Sequence, residues 1–435
     1  MTTTRLCCTL LGLALAAAPT AARDLTGDLP AVGQFLERDK SYAPPDRAQA
    51  RAALARLQMG AKDMSPAAFQ LAVAHIAALA RNGHTMLLPG PWAFDFNRTP
   101  LRYHLFADGL RVLHAPPEMR ELLGARVLAI DGYGVDALRQ AFARYFGGRA
   151  GKRDEWLGFF IESPALLQAA GLARANDRVD VQFELASGEE TMRTLVAALD
   201  PPREERYDFF DFSRLVTLAP EHIVAPATTP LWLQGPRRAF AIAALPELDA
   251  HYLQLRINKS FYEQKIDAFL NQARATLKKA KTKHLVVDLR LDGGGDLNTT
   301  REFFQRLPGL LPRDGRIFVL TSGHTFSAGI ASAGYLKQAA PSRVTIVGEP
   351  IGDRLEFWAE GGFIDLPASK AVLLPATERH NYQTGCQQPD CHRSIRRHPI
   401  RVGSLEPDLP APLRYADYRA GRDPALEAVR QALRR

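Results

Sequence analysis

The second half of the chain alternates apolar strand-like segments with helical segments, and this alternation constrains the fold most strongly. Four segments have the apolar, β-branched composition of buried strands: 252–256, 284–290, 316–320 and 344–347. The intervening sequence predicts helices over about 261–281, from 296 to about 307, and from 327 to about 339. Strands that alternate with helices in this way form a mainly parallel sheet with right-handed crossovers. The fold class predicted from this pattern is therefore α/β.

Length and composition exclude several classes of protein. A chain of 435 residues is long enough for about two or three domains. Its 46% apolar and 23% charged residues are ordinary for a globular protein and exclude a disordered, collagen-like or coiled-coil chain. The net charge of +8 arises from basic residues that are scattered rather than clustered. We therefore expect no nucleic-acid partner.

The N-terminus has the pattern of a secretory signal peptide. The apolar run Leu6–Ala18 follows one basic residue and is too short to span a bilayer, and Thr20–Ala22 supplies small residues for cleavage. The alternative is a short buried helix. Cys7 and Cys8 lie at the front of the run, where a lipid-anchoring cysteine would not lie. We predict a signal peptide over 1–22, no integral membrane segment after its cleavage, and a periplasmic or secreted mature protein.

Three regions follow the predicted signal peptide. Residues 23–98 are predicted to be mainly helical, with Ser65 as the N-cap of one helix. Residues 99–200 combine predicted strands with a helix over 135–146 and form a small α+β module. The α/β region then covers 201–435, and the polar, Pro-containing stretch at its start is a plausible boundary.

Two cysteines remain after the predicted cleavage, Cys386 and Cys391, in one polar loop. An exported chain with two nearby cysteines favours a disulfide between them. The competing interpretation is a metal site with His392, His380 or His398, although zinc sites usually have closer cysteine spacing and a second clear ligand pair. We predict the disulfide and no metal.

Two strand-to-helix junctions carry residues suited to chemistry. Gly293–Gly295 follows one predicted strand, and its backbone N–H groups can approach a ligand closely because no side chains intervene. Ser327 stands at the start of the next predicted helix, where the helix dipole favours an oxyanion. Together they provide the minimal parts of an acyl-transfer site. The alternatives are a tight turn for the glycines and a helix N-cap for the serine.

Segments spread over most of the chain resemble the C-terminal-processing (tail-specific) serine peptidases, including their tricorn-core branch. In chain order they are Asn82–Thr85, Ala125–Gly132, Val286–Gly295, Thr325–Ala328, Val347–Pro350, Leu405–Leu409 and Gly421–Pro424. The resemblance implies a crotonase-like (ClpP-like) catalytic core over 201–435, with a PDZ-like module over 99–200. It also implies an exported serine endopeptidase that acts on peptides or protein C-terminal tails without a cofactor, and an oligomer is possible.

The resemblance assigns roles to individual residues. Ser327 corresponds to the nucleophile, and the N–H groups of Ala328 and of Gly294 or its neighbours to the oxyanion hole. Bacterial members use a lysine base soon after the Gly-Glu segment, but this chain has Asp353-Arg354 there, and an arginine stays protonated. The tricorn-core branch uses an N-terminal histidine, which corresponds to His84.

Other features of the predicted site remain open. His324, three residues before the serine, is a second candidate base. The tricorn-core branch has a serine just before its histidine, where this chain has Gly83, and it uses a glutamate to orient the base. Three candidates exist for that acid: Glu378, Glu360 and Glu406. Two further acidic residues are predicted to be structural: Glu349 and Asp288. The alternative function is a catalytically inactive protein that binds a peptide or apolar ligand on the same fold.

Overall fold

A computed structural model of the chain describes residues 24–198, 215 and 228–434. The predicted signal peptide, 1–22, and the predicted boundary near 200 lie outside the described residues. Among the helices that are described, none combines the length and the apolar character needed to cross a membrane.

The described strands and helices alternate along the chain. The strands are β1 Met86–Leu87, β2 Arg102–Phe106, β3 Gly109–His114, β4 Arg126–Ile130, β5 Tyr133–Gly134, β6 Arg178–Glu184, β7 Glu190–Val196, β8 Phe240–Leu245, β9 Ala250–Leu255, β10 His284–Asp288, β11 Ile317–Thr321, β12 Val344–Gly348, β13 Glu356–Glu360, β14 Ile364–Asp365, β15 Val372–Leu374, β16 Ala376–Asn381 and β17 Leu409–Pro410. The helices are α1 Leu29–Arg38, α2 Pro44–Gly60, α3 Pro66–Ala78, α4 Trp92–Asp95, α5 Val135–Phe142, α6 Ala150–Ile161, α7 Pro164–Ala169, α8 Ile266–Ala280, α9 Leu297–Arg306, α10 Ala328–Ala339, α11 Arg393–Arg397, α12 Tyr415–Arg419 and α13 Pro424–Arg434.

The predicted α/β fold is confirmed by a six-stranded sheet in the order β17–β12–β11–β10–β9–β8. All neighbours in this sheet are parallel except β8 and β9, which form an antiparallel pair. Its central strands are buried, as their apolar sequences predict, and they pack against α8, α9 and α10. The carboxyl ends of β10 and β11 therefore lie side by side, and both predicted junctions follow them.

A second sheet, in the order β2–β3–β4–β6–β7, is antiparallel and belongs to the first half of the chain. Its helix α5 ends at Phe142, four residues before the predicted end at Phe146. Backbone hydrogen bonds form turns over the next residues, and Gly147 then passes close to α3. A Cβ on this glycine would lie 2.9 Å from the carbonyl oxygen of Ala78.

The N-terminal helices pack on this second sheet and share one apolar core with it. The predicted N-cap is present, because the Ser65 hydroxyl accepts a hydrogen bond from the N–H of Ala68. After α3 the chain crosses to the second half of the protein, where β1 pairs antiparallel with β15. This ladder places residues 82–85 beside the turn that follows β12, at the carboxyl end of the six-stranded sheet.

The predicted disulfide between Cys386 and Cys391 is confirmed. It closes the loop between β16 and α11, and both cysteines are buried. The competing metal site would need free thiolates, which this bond consumes.

Candidate active site

Ser327 occupies the sharp turn between β11 and α10. Its backbone adopts φ 51° and ψ −121°, a conformation that residues other than glycine rarely adopt. Its hydroxyl does not cap the helix, because it accepts no hydrogen bond from the first helical turn. The N-cap alternative therefore does not account for this serine. A serine on a strained strand-to-helix turn is also the geometry of a nucleophile elbow.

The glycine loop packs directly against this turn. The Phe326 N–H donates to the Asp292 carbonyl at 2.9 Å, which ties the two segments together. Gly294 has φ +109°, and a Cβ there would lie 2.6 Å from the Ser327 Cβ. Only glycine fits between this loop and the serine.

The substitution Gly294→Ala tests this close packing. We expect kcat/KM for peptide hydrolysis to fall about a hundredfold or more, because the added methyl displaces Ser327. The melting temperature should fall as well, since alanine is strained at this φ. Gly188→Ala is the matched control: its φ is +86°, but a Cβ there would meet nothing within 4 Å. Equal losses of activity in both variants would contradict the packing argument.

The predicted oxyanion donors differ in their present partners. Ala328 is the first residue of α10, so its N–H has no acceptor within the helix. The Gly294 N–H instead donates to the Asp292 carboxyl at 3.0 Å. Asp292 is fully buried, and burial raises the pKa of its carboxyl well above the usual range. The predicted Gly294 donor is thus occupied in this structure.

His84 pairs with a carboxylate from the other half of the chain. Its Nδ1 lies 3.2 Å from Oδ2 of Asp353, in the turn that follows β12. Gly83 makes this approach possible, because a Cβ there would lie 2.7 Å from the same oxygen. Gly83, which stands where the tricorn-core branch has a serine, therefore leaves room for the carboxylate.

Two phenyl rings clamp the imidazole of His84. Its ring centroid lies 4.2 Å from that of Phe326 and 4.9 Å from that of Phe357, and both pairs are stacked. Nε2 is buried and makes no hydrogen bond to any described residue. The structure thus places His84 against the residue that precedes Ser327, without a hydrogen bond between the two proposed partners. In unliganded sites such bonds are often long and shorten only when substrate is bound.

In the described part of the chain, none of the three glutamates proposed to orient the base forms a hydrogen bond or an ion pair with His84, although the charge of Glu360 interacts with it at longer range. Glu360 faces His380, with 3.6 Å between Oε1 and Nε2, and this pairing lowers the pKa of Glu360. Glu378 faces His392, and Glu406 pairs with an arginine. The carboxylate that pairs with His84 is that of Asp353 and not that of one of these glutamates. The two acids predicted to be structural also make structural bonds: Glu349 accepts from the Leu413 N–H, and Asp288 accepts from Tyr252 and Arg290.

A second histidine–carboxylate pair lies beside the same turn. His324 Nδ1 is 3.4 Å from Glu155 Oε2, and a Cβ on Gly293 would lie 3.5 Å from His324 Nε2. Burial and the nearby ammonium of Lys152 lower the pKa of His324. Burial opposes ionisation of Glu155, but the hydrogen bond with His324 and the charges of His324, His104 and Lys152 together lower its pKa to about 2.

Asp353 is the site residue that sequence reasoning missed. In the sequence, the segment around it stands out only because it lacks the lysine of the bacterial enzymes. The features that could have indicated a partner for His84 are the carboxylate in that segment and the glycine before the histidine.

Comparisons with known proteins give matches only at the level of structure. No protein-family model matches the sequence, and no curated protein matches it. Mature CPAF in complex with lactacystin superposes with a TM-score of 0.58 at 11% identity, over 94% of this chain and 97% of that one. A second structure of mature CPAF gives a TM-score of 0.56 at 13% identity, over 94% of this chain and 96% of that one. The photosystem II D1 C-terminal processing protease gives 0.36 at 14% identity, over 92% and 98%.

The closer superpositions extend over nearly the full length of both proteins. The chain therefore shares its α/β fold with mature CPAF.

Proposed function

We propose that this protein is a serine endopeptidase that cleaves peptides or the C-terminal tails of proteins. Ser327 is the nucleophile, His84 is the general base, and Asp353 orients the base. The observation that carries the proposal is the strained, uncapped backbone of Ser327 beside a histidine–carboxylate pair. A turn of this kind costs folding free energy and is retained mainly where it exposes a reactive group.

The proposed reaction proceeds in two halves. Ser327 Oγ attacks the peptide carbonyl carbon while its proton moves to His84 Nε2, and the oxyanion is stabilised by the Ala328 N–H and the glycine loop. The Gly294 N–H must exchange the Asp292 carboxyl for this oxyanion. The C–N bond then breaks, and His84 returns the proton to the leaving amine. In the second half, His84 takes a proton from a water molecule, which attacks the carbonyl carbon of the acyl-enzyme. The bond to Ser327 Oγ then breaks, and His84 returns the proton to the serine oxygen.

The pairing of His84 with Asp353 supports the proposed orientation of the base. A carboxylate at Nδ1 fixes the tautomer that leaves Nε2 free to accept a proton, and it stabilises the imidazolium that follows. The clamp formed by Phe326 and Phe357 holds the ring plane. Preorganisation of this kind lowers the entropy cost of reaching the reactive geometry.

The proposal also includes the two domain assignments and the export that the sequence predicts. We assign the sheet β2–β3–β4–β6–β7 to a PDZ-like module and the six-stranded sheet with its helices to a crotonase-like core. We also propose that the chain is exported after cleavage of residues 1–22. The buried disulfide supports export, because such bonds persist in oxidising compartments.

A fluorophosphonate probe tests the proposal directly. We expect covalent labelling of the purified mature protein, with the added mass on the peptide that contains Ser327, and no labelling of the Ser327→Ala variant. Phosphonylation requires an activated hydroxyl, so a folded protein that the probe leaves unlabelled would favour the inactive binding protein instead.

A further inference from the structure

Lys152 in α6 is a buried charge that the proposed reaction does not use. The residue is 5% exposed. Within the described part of the chain its ammonium makes no hydrogen bond and no ion pair, and it lies over two aromatic rings. The distances to the ring centroids are 4.8 Å for Phe326 and 5.5 Å for Trp156. Burial of a cation without a bonded carboxylate is costly, and it lowers the pKa of Lys152 to about 8.

The position of this ammonium links it to the site. Phe326 is one of the two rings that clamp His84, and it directly precedes Ser327. The same phenyl ring therefore contacts the proposed base and the buried ammonium. A cation over a phenyl face is attracted to the ring, so Lys152 helps to hold Phe326 in place.

The charges around Lys152 come from three elements. Glu155 lies on the same helix, His324 lies in the loop before Ser327, and Asp353 lies in the turn after β12. Arg149 also approaches this turn, through the backbone carbonyl of Asp353. The two carboxylates are those that pair with His324 and His84, so Lys152 interacts with both histidine–carboxylate pairs.

We propose that Lys152 is a positioning residue of this site: it holds Phe326 against His84 and balances the charges of Asp353 and Glu155. The inference rests on the proposed function. Without a nearby cation, the negative charges of the two carboxylates stabilise the protonated form of the titratable groups beside them. The ammonium opposes this and keeps the site ready to accept the proton of Ser327.

The substitution Lys152→Met removes the charge and keeps an apolar stem of similar length. We expect the pH profile of kcat/KM to move to higher pH by about one unit. This is about the size of the Coulomb interaction between two charges separated by one aromatic ring, at a dielectric constant between those of water and of a dry protein interior. At pH 7 the loss should reach up to about tenfold. A merely structural lysine would leave this profile where it is.

The same variant should be more thermostable than the wild-type protein. The ordinary pKa of lysine is 10.5, and here it is lowered to about 8. The unfolded chain therefore binds the proton more tightly, and folding pays a penalty that is full below pH 8 and disappears as the pH rises toward 10.5. We expect the melting temperature of Lys152→Met to exceed that of the wild type by several degrees at pH 7, with a gain that shrinks above pH 8.

Two further variants complete the test. Lys278→Met makes the same change at an exposed position in α8 and should alter neither measurement. Adding Glu155→Gln to Lys152→Met removes one of the two carboxylates and should move the pH profile back toward that of the wild type. A pH profile of kcat/KM that stays unchanged in Lys152→Met would overturn the proposal. Wild-type protein without hydrolysis would refute the proposed function, while the melting experiment, which needs no substrate, would still decide whether burial of the Lys152 ammonium destabilises the fold.

Discussion

Replacement of Ser327 or of His84 by alanine is expected to lower kcat by roughly four orders of magnitude. The double variant should be hardly slower than either single variant. Both residues act in the same proton transfer, so the loss of one already removes the contribution of the other. Peptide hydrolysis under saturating substrate measures the effect, and circular dichroism confirms that each variant is folded.

His324→Ala is the informative companion to these variants. His324 also pairs with a carboxylate, but its ring is not clamped between the two phenylalanines. We expect its loss to reduce kcat far less than the loss of His84. A folded His84→Ala protein with near-wild-type turnover would refute the assignment and make His324 the next candidate for the base.

The variant Asp353→Asn is expected to lower kcat by about a thousandfold and to leave the fold intact. An amide in this place can donate to Nδ1, which favours the tautomer that carries its proton on Nε2. That imidazole cannot accept the proton of Ser327. Steady-state kinetics measures the loss, and an unchanged melting curve would show that the effect is local.

Glu360→Gln and Glu378→Gln are matched controls for this change. Each removes the charge of a carboxylate that pairs with a histidine other than His84, although the charge of Glu360 also interacts with His84 at longer range. We expect both to retain most of the activity. A larger loss in either of them than in Asp353→Asn would move the orienting role back to a glutamate.

The α/β core was predictable because its signals are local. Four of its six strands, β9 to β12, are short, mainly apolar runs, and the junctions after β10 and β11 carry their own markers, three glycines and a serine. Elements of this kind follow from periodicity and composition within a few residues of sequence. Their ends were less predictable: α8 begins at Ile266, because residues 261–264 form a turn closed by backbone hydrogen bonds. The outer strands β8 and β17 were not predicted.

The partner of His84 could not be predicted in the same way. His84 and Asp353 are separated by 269 positions, and nothing in either segment specifies the other. Their contact depends on the pairing of β1 with β15 and on the absence of a side chain at Gly83. The glutamates were reasonable candidates by type, but the sequence does not show which carboxylate the fold brings to the histidine. The buried position of Lys152 was likewise invisible, because one lysine in an amphipathic helix normally faces solvent.

The ladder that carries His84 to Ser327 makes the site a property of the whole chain. Asn82 reinforces it, since its side-chain amide exchanges hydrogen bonds with the backbone of Trp358 in both directions. A fragment that contains only the α/β core would therefore hold Ser327 and Asp353 but not His84, and a fragment that contains only the first half would hold His84 alone. Under the proposed mechanism neither fragment could cleave a peptide, so activity would appear during synthesis only after both halves of the chain had folded together.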